Sequence, residues 1–291
     1  MNMKQVARLV MLVCIISFSA CMNDARKGAS DSETVETDSV PDGFVDNTQA
    51  DTLLLDRETA NSPLPEVIDE LFDDFIFSFD QSNRLQRKRI LFPLPVVNGD
   101  GETHYIQQDE WQHHYLLLHQ DFCTVMWNTR KQMEMAQDGE ICDARVDQIY
   151  LHSRQINSFV FHRDSTSREW MLTEECIIPF EHSDMASFLD FYSKFATDST
   201  YQLRHVTDPL RYKTTGEEDA FDIIEGTINR EQWLEFQPEL PQDVLVHIAY
   251  GQTFTNPNKI YLQMRGISNG LQTLLSFYRD GEYWKLIEFE N

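Results

Sequence analysis

The sequence predicts an α+β protein of two tandem units, each with helices packed on a curved antiparallel sheet. Three observations carry that reading. The chain closes on two β-branched and aromatic runs, 274–279 and 282–289, joined by Asp280-Gly281; this is the strongest short-range hairpin signal a sequence offers. The same device occurs earlier with a wider loop, so that Phe161-His162-Arg163-Asp164 and Phe277-Tyr278-Arg279-Asp280 each precede an aromatic strand. At an offset of 116 positions, Phe72/Phe188, Phe75/Phe191, Phe79/Phe195, Gln86/Gln202, Pro93/Pro209 and Leu94/Leu210 match without a gap.

Each unit opens on a helix. In 65–79, Ile68, Leu71, Phe72, Phe75 and Phe79 share one helical face, with Pro65 suited to the first turn and Glu66, Asp69 and Glu70 to the positive end of the helix dipole. In 184–195, Phe188, Phe191 and Phe195 do the same, with Ser183 expected as N-cap. Short second helices are expected at 82–90 and 199–206, then a Pro-Leu strand start, a Gly-containing turn and a helical piece around Trp111 or Trp233. Four strands close each unit, at 122–127, 145–152, 156–163 and 168–176, and at 244–250, 259–266, 271–279 and 282–289. A second alignment, at a shorter offset, sets Ile149-Tyr150-Leu151, Arg154 and Ile156 against Ile260-Tyr261-Leu262, Arg265 and Ile267.

The N-terminus reads as a leader. Lys4 and Arg8 precede an apolar run, 9–18, too short for a bilayer, which needs about 20 residues. Ser19-Ala20 before Cys21 resembles the lipobox of bacterial lipoproteins, which implies cleavage before Cys21 and lipid attachment to it; an ordinary secretory signal is the alternative. Residues 22–62 hold ten Asp/Glu against Arg26, Lys27 and Arg57 and few large apolar residues, a composition that stays disordered. The expected boundaries are 1–20 signal peptide, 21–62 lipidated tether, 63–181 first unit and 182–291 second unit.

Charge excludes classes of partner. The 291 residues carry 24 basic and 48 acidic side chains, and loss of Lys4 and Arg8 with the leader takes the formal charge from −24 to −26. So acidic a chain lacks the cationic footprint for nucleic acid and is repelled by anionic headgroups, so membrane contact is expected through the lipid anchor alone. Beyond Cys21, Cys123, Cys142 and Cys176 remain. Either Cys142–Cys176 forms a disulfide or all three stay buried free thiols.

No nucleophile elbow, zinc-protease helix, P-loop or dinucleotide fingerprint occurs. His104, His113, His114 and His119 lack a spacing that brings two imidazoles to one ion, so no metal or other cofactor is expected. Glu217-Glu218-Asp219 and Asp222 lack the pattern of a calcium loop. The doubled polar residues are the candidates that remain. Arg163-Asp164 and Arg279-Asp280 are expected to cap hairpins. Arg154, Arg265, Gln86 and Gln202 are the candidate pocket polar groups, the arginines either fixing an anionic ligand or pairing a neighbouring carboxylate.

The order helix, helix, short strands, helix, long antiparallel meander resembles the nuclear-transport-factor-two-like (cystatin-like) fold. With the lipobox and acidic tether, the chain also resembles a Bacteroidetes-type lipoprotein family classed as a domain of unknown function. The resemblance implies a helix wrapped by a curved sheet, often with a pocket between them, and brings no catalytic motif. The expected function is a monomeric, lipid-anchored envelope protein that binds a protein, peptide or glycan without catalysis, with the junction between the units as the binding surface. The alternative is a small-ligand carrier or pocket enzyme using one cone-shaped cavity.

Overall fold

Helices form where the phenylalanines recur. The computed structural model describes residues 68–215, 223–267 and 269–291, all within the compact unit Thr48–Asn291. The expected leader, Cys21, the acidic tether and the Glu217–Asp222 stretch lie outside the described residues. Helix α1 (Phe72–Gln81) buries Phe72, Phe75, Ile76 and Phe79. Helix α2 (Asn83–Lys88) follows, with Ser82 Oγ accepting from Leu85 N at 3.2 Å. In the second half, α3 (Ala186–Thr197) buries Phe188, Phe191 and Phe195, and α4 (Ser199–His205) is capped by the Asp198 carboxylate. Ser183 falls short of the N-cap role: its Oγ accepts from Met185 N just before α3.

Trp233 lies on helix α5 (Arg230–Phe236), but Trp111 lies in an irregular segment between two turns, which corrects the expected helix there. The cause is competition for the backbone. Buried Gln86 bonds both the N–H and the C=O of His114, and Asp80 accepts from Leu117 N, so these groups are not left for a helical ladder.

The strands are β1 (Leu94–Asn98), β2 (Thr103–Ile106), β3 (Phe122–Trp127), β4 (Asp143–Tyr150), β5 (Gln155–Arg163) and β6 (Trp170–Pro179), then β7 (Val206–Thr215), β8 (Ile223–Ile228), β9 (Val244–Ala249), β10 (Lys259–Gly266), β11 (Gln272–Asp280) and β12 (Tyr283–Glu290). They form one sheet in the order β2-β1-β6-β5-β4-β9-β3-β10-β11-β12-β7-β8. A single continuous sheet overturns the expectation of a separate antiparallel sheet in each half. The halves exchange a strand: β3 pairs with β10 and β9 with β4, and the two meet in parallel at Thr124/His247. Both exchanged strands are nearly continuous apolar runs buried on both faces, as the centre of a two-sided sheet requires. The pairs β1·β6 and β7·β12 are parallel too.

Two cores lie on opposite faces of this sheet. On β4, Ala144 and Val146 join the core of α1, whereas Ile149, an odd number of residues away, joins that of α3. On β3, Cys123, Val125 and Trp127 face the first core and Met126 the second. The ring geometry of the cores corresponds closely. Phe79 meets Phe161 edge-on at 5.2 Å and Phe195 meets Phe277 edge-on at 5.4 Å. Trp170 lies 4.9 Å from Phe72, and Trp284 lies 5.3 Å from Phe188. Each hairpin arginine covers its tryptophan, Arg163 at 5.8 Å and Arg279 at 5.6 Å. Asp164 Oδ1 caps its turn by accepting from Thr166 N and Ser167 N.

The three cysteines are free, which corrects the Cys142–Cys176 pairing. Cys176 lies opposite Ser158 of β5, while Cys142 O accepts from Arg163 N five residues further along that strand. That is about 16 Å of strand, against a limit of about 7 Å between bridged Cα atoms.

Candidate functional site

The residues before β3 and before β9 come together beside the C-terminal end of α3 and the start of α4. They enclose an open cleft of about 970 Å³. One wall is His119–Phe122, another is Gln237–Val244, and the helices contribute Ala196, Thr197, Ser199 and Gln202. Main-chain bonds hold the rims: Ile267 N donates to Asp121 O at 2.7 Å and Leu151 N to Asp243 O at 2.9 Å.

Of the four expected pocket residues, Gln202 alone lines this cleft. It is buried, at 4 % exposure, and its Oε1 accepts from Trp233 Nε1 at 3.3 Å. Its Nε2 donates to no group among the described residues. Gln86 occupies the corresponding position in the first half with every valence used. Its Oε1 accepts from Trp111 Nε1 and from His114 N, both at 3.1 Å, and its Nε2 donates to Phe79 O at 3.0 Å and His114 O at 2.8 Å.

The arginines go elsewhere, and they do not correspond to each other. Phe161 and Phe277 each follow a β-bulge and pair with Ala144 and Ile260, so β4 matches β10 at the 116 offset. The shorter offset was five residues out of register, and an odd slip exchanges the faces of a strand. Arg154 sits in the turn after β4 at φ 57°, exposed, paired with Asp190 and stacked 5.3 Å over Phe180. Arg265 runs from β10 into the first core, where it pairs with Asp73 and donates to Tyr250 Oη at 2.8 Å, while that hydroxyl donates to Asp73 Oδ1 at 2.5 Å. Burial and the Asp73 carboxylate hold the Tyr250 hydroxyl well above its ordinary pKa, and burial pushes neighbouring Cys123 up to about 11. This closed cluster ties α1 to β10.

A second buried titratable group lies under the sheet's centre. His247 is fully enclosed, its Nδ1 within 3.3 Å of Met126 N and 3.2 Å of Thr124 O, and its Nε2 is unpartnered among the described residues. Burial lowers its pKa to about 4. Asp147, directly across on β4, is paired with Arg145 Nε at 2.7 Å. Neither residue lines the cleft, so the pair lies apart from it.

Three of the four histidines singled out in the sequence serve as packing groups, and His104 is exposed on β2. His113 Nε2 donates to Asp80 O at 2.7 Å, His114 lies 5.1 Å from the Phe159 ring, and the His119 ring lies tilted 4.0 Å from that of Tyr115 on the cleft rim. Among the described residues no three His, Cys, Asp or Glu side chains converge as metal ligands, and no helix is long and apolar enough to cross a membrane.

The sheet, the helices on its faces and the cleft define a mixed α+β protein of the NTF2-like class. Residues 50–291 match the family described as Domain of unknown function (DUF4348), and the chain belongs to that family. It is similar to an ntf2-like protein from Bacteroides fragilis known from a crystal structure, with 35% sequence identity and a TM-score of 0.72 over 78% of this chain and 98% of that one. No curated protein matches.

Proposed function

We propose that this protein is a non-catalytic binding module, built from two tandem NTF2-like units and held at the bacterial envelope by a lipid on Cys21, with its ligand seated in the cleft beside Gln202. One observation carries the reading: a glutamine 96% removed from solvent keeps an amide N–H group without a protein partner in the wall of a large cleft. That amide opens onto the cleft instead of being sealed in the core, so it is a donor that a ligand can take over from water. The position of the cleft, between loops of both halves, suits the expected junction surface.

The lining favours binding over chemistry. Thr197 Oγ1 donates back to Ser193 O at 2.8 Å, and among the described residues neither lining hydroxyl is bonded to an imidazole or carboxylate. Activation of a hydroxyl nucleophile needs such a base. Both helix–sheet cores are packed with aromatic side chains, which favours this reading over the alternative, a pocket enzyme or small-ligand carrier using one cone.

Two measurements test the proposal. Cys21→Ala should move the folded protein from the membrane to the aqueous fraction, and retention on membranes would sink the anchor. Native mass spectrometry of protein purified from envelopes should show a bound species that Ala196→Asp, which narrows the cleft, removes. Recovery of that species chemically altered after incubation would establish the enzyme reading instead.

A further inference from the structure

We propose that the cleft takes a neutral saccharide, an inference that rests on the binding reading above and names its ligand class. The lining carries four amides (Gln120, Gln202, Gln237, Gln242), three carboxylates (Asp121, Glu239, Asp243) and two hydroxyls, with no lysine or arginine. Phosphate, sulfate and uronate ligands would meet three carboxylates with no lysine or arginine to offset them and His119 as the one imidazole in the lining, which disfavours anions. Apolar ligands are excluded by the density of polar groups, each of which would lose water without replacement.

What remains must accept a bond from the Gln202 amide while donating to carboxylates and amide carbonyls around it. An ammonium donates only, so it meets the carboxylates and leaves Gln202 unsatisfied. A hydroxyl does both on one atom, and a sugar ring presents several of them at fixed spacing. A peptide backbone also mixes donors and acceptors, but the mode that uses it as a ladder of main-chain bonds, strand addition, needs a free sheet edge. The edges here are β2 and β8, and neither contributes a residue to the cleft. The volume, about 970 Å³, is near the top of the range of about 300–1,000 Å³ for small-ligand sites, so an oligosaccharide fits better than one ring.

The test is calorimetric titration of the full chain with a panel of neutral hexose and N-acetylhexosamine tetrasaccharides, matched sulfated and uronate-containing tetrasaccharides, and tetrapeptides. The expected result is binding of at least one neutral saccharide and of no acidic one. Gln202→Glu keeps the acceptor for Trp233 and removes the donor, so it should weaken that binding at least tenfold; Ala196→Asp should abolish it. Thermal melts of both variants check that they remain folded. Binding of peptides or acidic saccharides in place of neutral ones, still sensitive to Gln202→Glu, overturns the saccharide inference and leaves the binding reading intact. Neutral saccharide binding that ignores both variants overturns the cleft as its seat. No binding by any member, together with no bound species in the native protein, overturns both.

Discussion

The two halves solve one local problem in opposite ways. In the first, Asp80 sits at the end of α1, its Oδ1 accepting from Leu117 N at 2.9 Å, and Gln86 closes four hydrogen bonds around it. The segment 113–118 is thereby drawn down onto the helices, and Leu116 and Leu117 are buried. In the second, the residue 116 positions on is Ala196, and counting from Trp233 as from Trp111 the matching segment is 235–240. Ala196 brings no acceptor, Phe236 in the place of His114 belongs to helix α5, and the amide of Gln202 is left facing a cleft. One carboxylate and its network make a core; their replacement leaves a cleft. Burial raises the Asp80 pKa, with the Leu117 and Leu116 N–H groups acting against that rise, so the filled version carries its own cost.

The sharpest test of the correspondence is also the largest effect. Phe75 and Phe191 are fully or almost fully buried against matching ring sets. Truncating either to Ala should cost about 3–5 kcal/mol, the range for a buried phenylalanine. Urea midpoints at unchanged slope measure it. Because the halves share one sheet, each variant should still unfold in a single transition; two separate transitions would break the picture of interlocked halves.

The seam between the halves gives the next effect. His247 of β9 lies against β3 at the exchange point, and burial depresses its pKa from 6.5 to about 4. The folded state therefore binds fewer protons than the unfolded state between those values, so stability rises with pH there. As pH falls from about 6.5 to about 4, about 3 kcal/mol should be lost on this account, with no further loss from this group below. His247→Gln, measured by denaturant titration across that window, should flatten the slope. An unchanged slope would place the acid sensitivity elsewhere, with His114, also depressed chiefly by burial, the next to test.

Much of this architecture is legible in the sequence because periodicity and turn chemistry are local. The Phe72/Phe188 series, the Asp-Gly hairpin and all eight closing strands fall within a few residues of their expected places. The strand exchange is not legible, since β3 and β9 would read as the same apolar runs whichever neighbour they paired with. The false match of Arg154 to Arg265 arose because five identities in a short motif can align without regard to face, and this one slips by five residues, an odd number that puts each side chain on the wrong side of the sheet. Only the pairing of Phe161 with Ala144 and of Phe277 with Ile260 fixes it. Gln202 was legible as a doubled polar residue, yet the cleft was not. Its signal lay in what fails to match at the good offset, Asp80 against Ala196, rather than in what does.

The smallest effect bears most directly on the comparison. Gln86→Ala leaves two N–H donors, on Trp111 and His114, and two carbonyls, on Phe79 and His114, without their partner. Buried groups stranded in this way cost about 1–3 kcal/mol each when no water reaches them, and less when relaxation or water compensates, so a total of about 2–3 kcal/mol is expected. Gln202→Ala strands only Trp233 Nε1, and beside an open cleft that donor has water within reach, so about 1 kcal/mol is expected. The two variants should be compared by denaturant titration in the same buffer, once alone and once with the ligand that fills the cleft. Ligand should stabilise the Gln86→Ala protein as it does the parent, and should lose most of its effect on the Gln202→Ala protein. Equal costs for the two substitutions would mean that Gln202 is as fully engaged as Gln86. The cleft would then be a surface feature of the fold, since its deepest donor would have no need of a ligand.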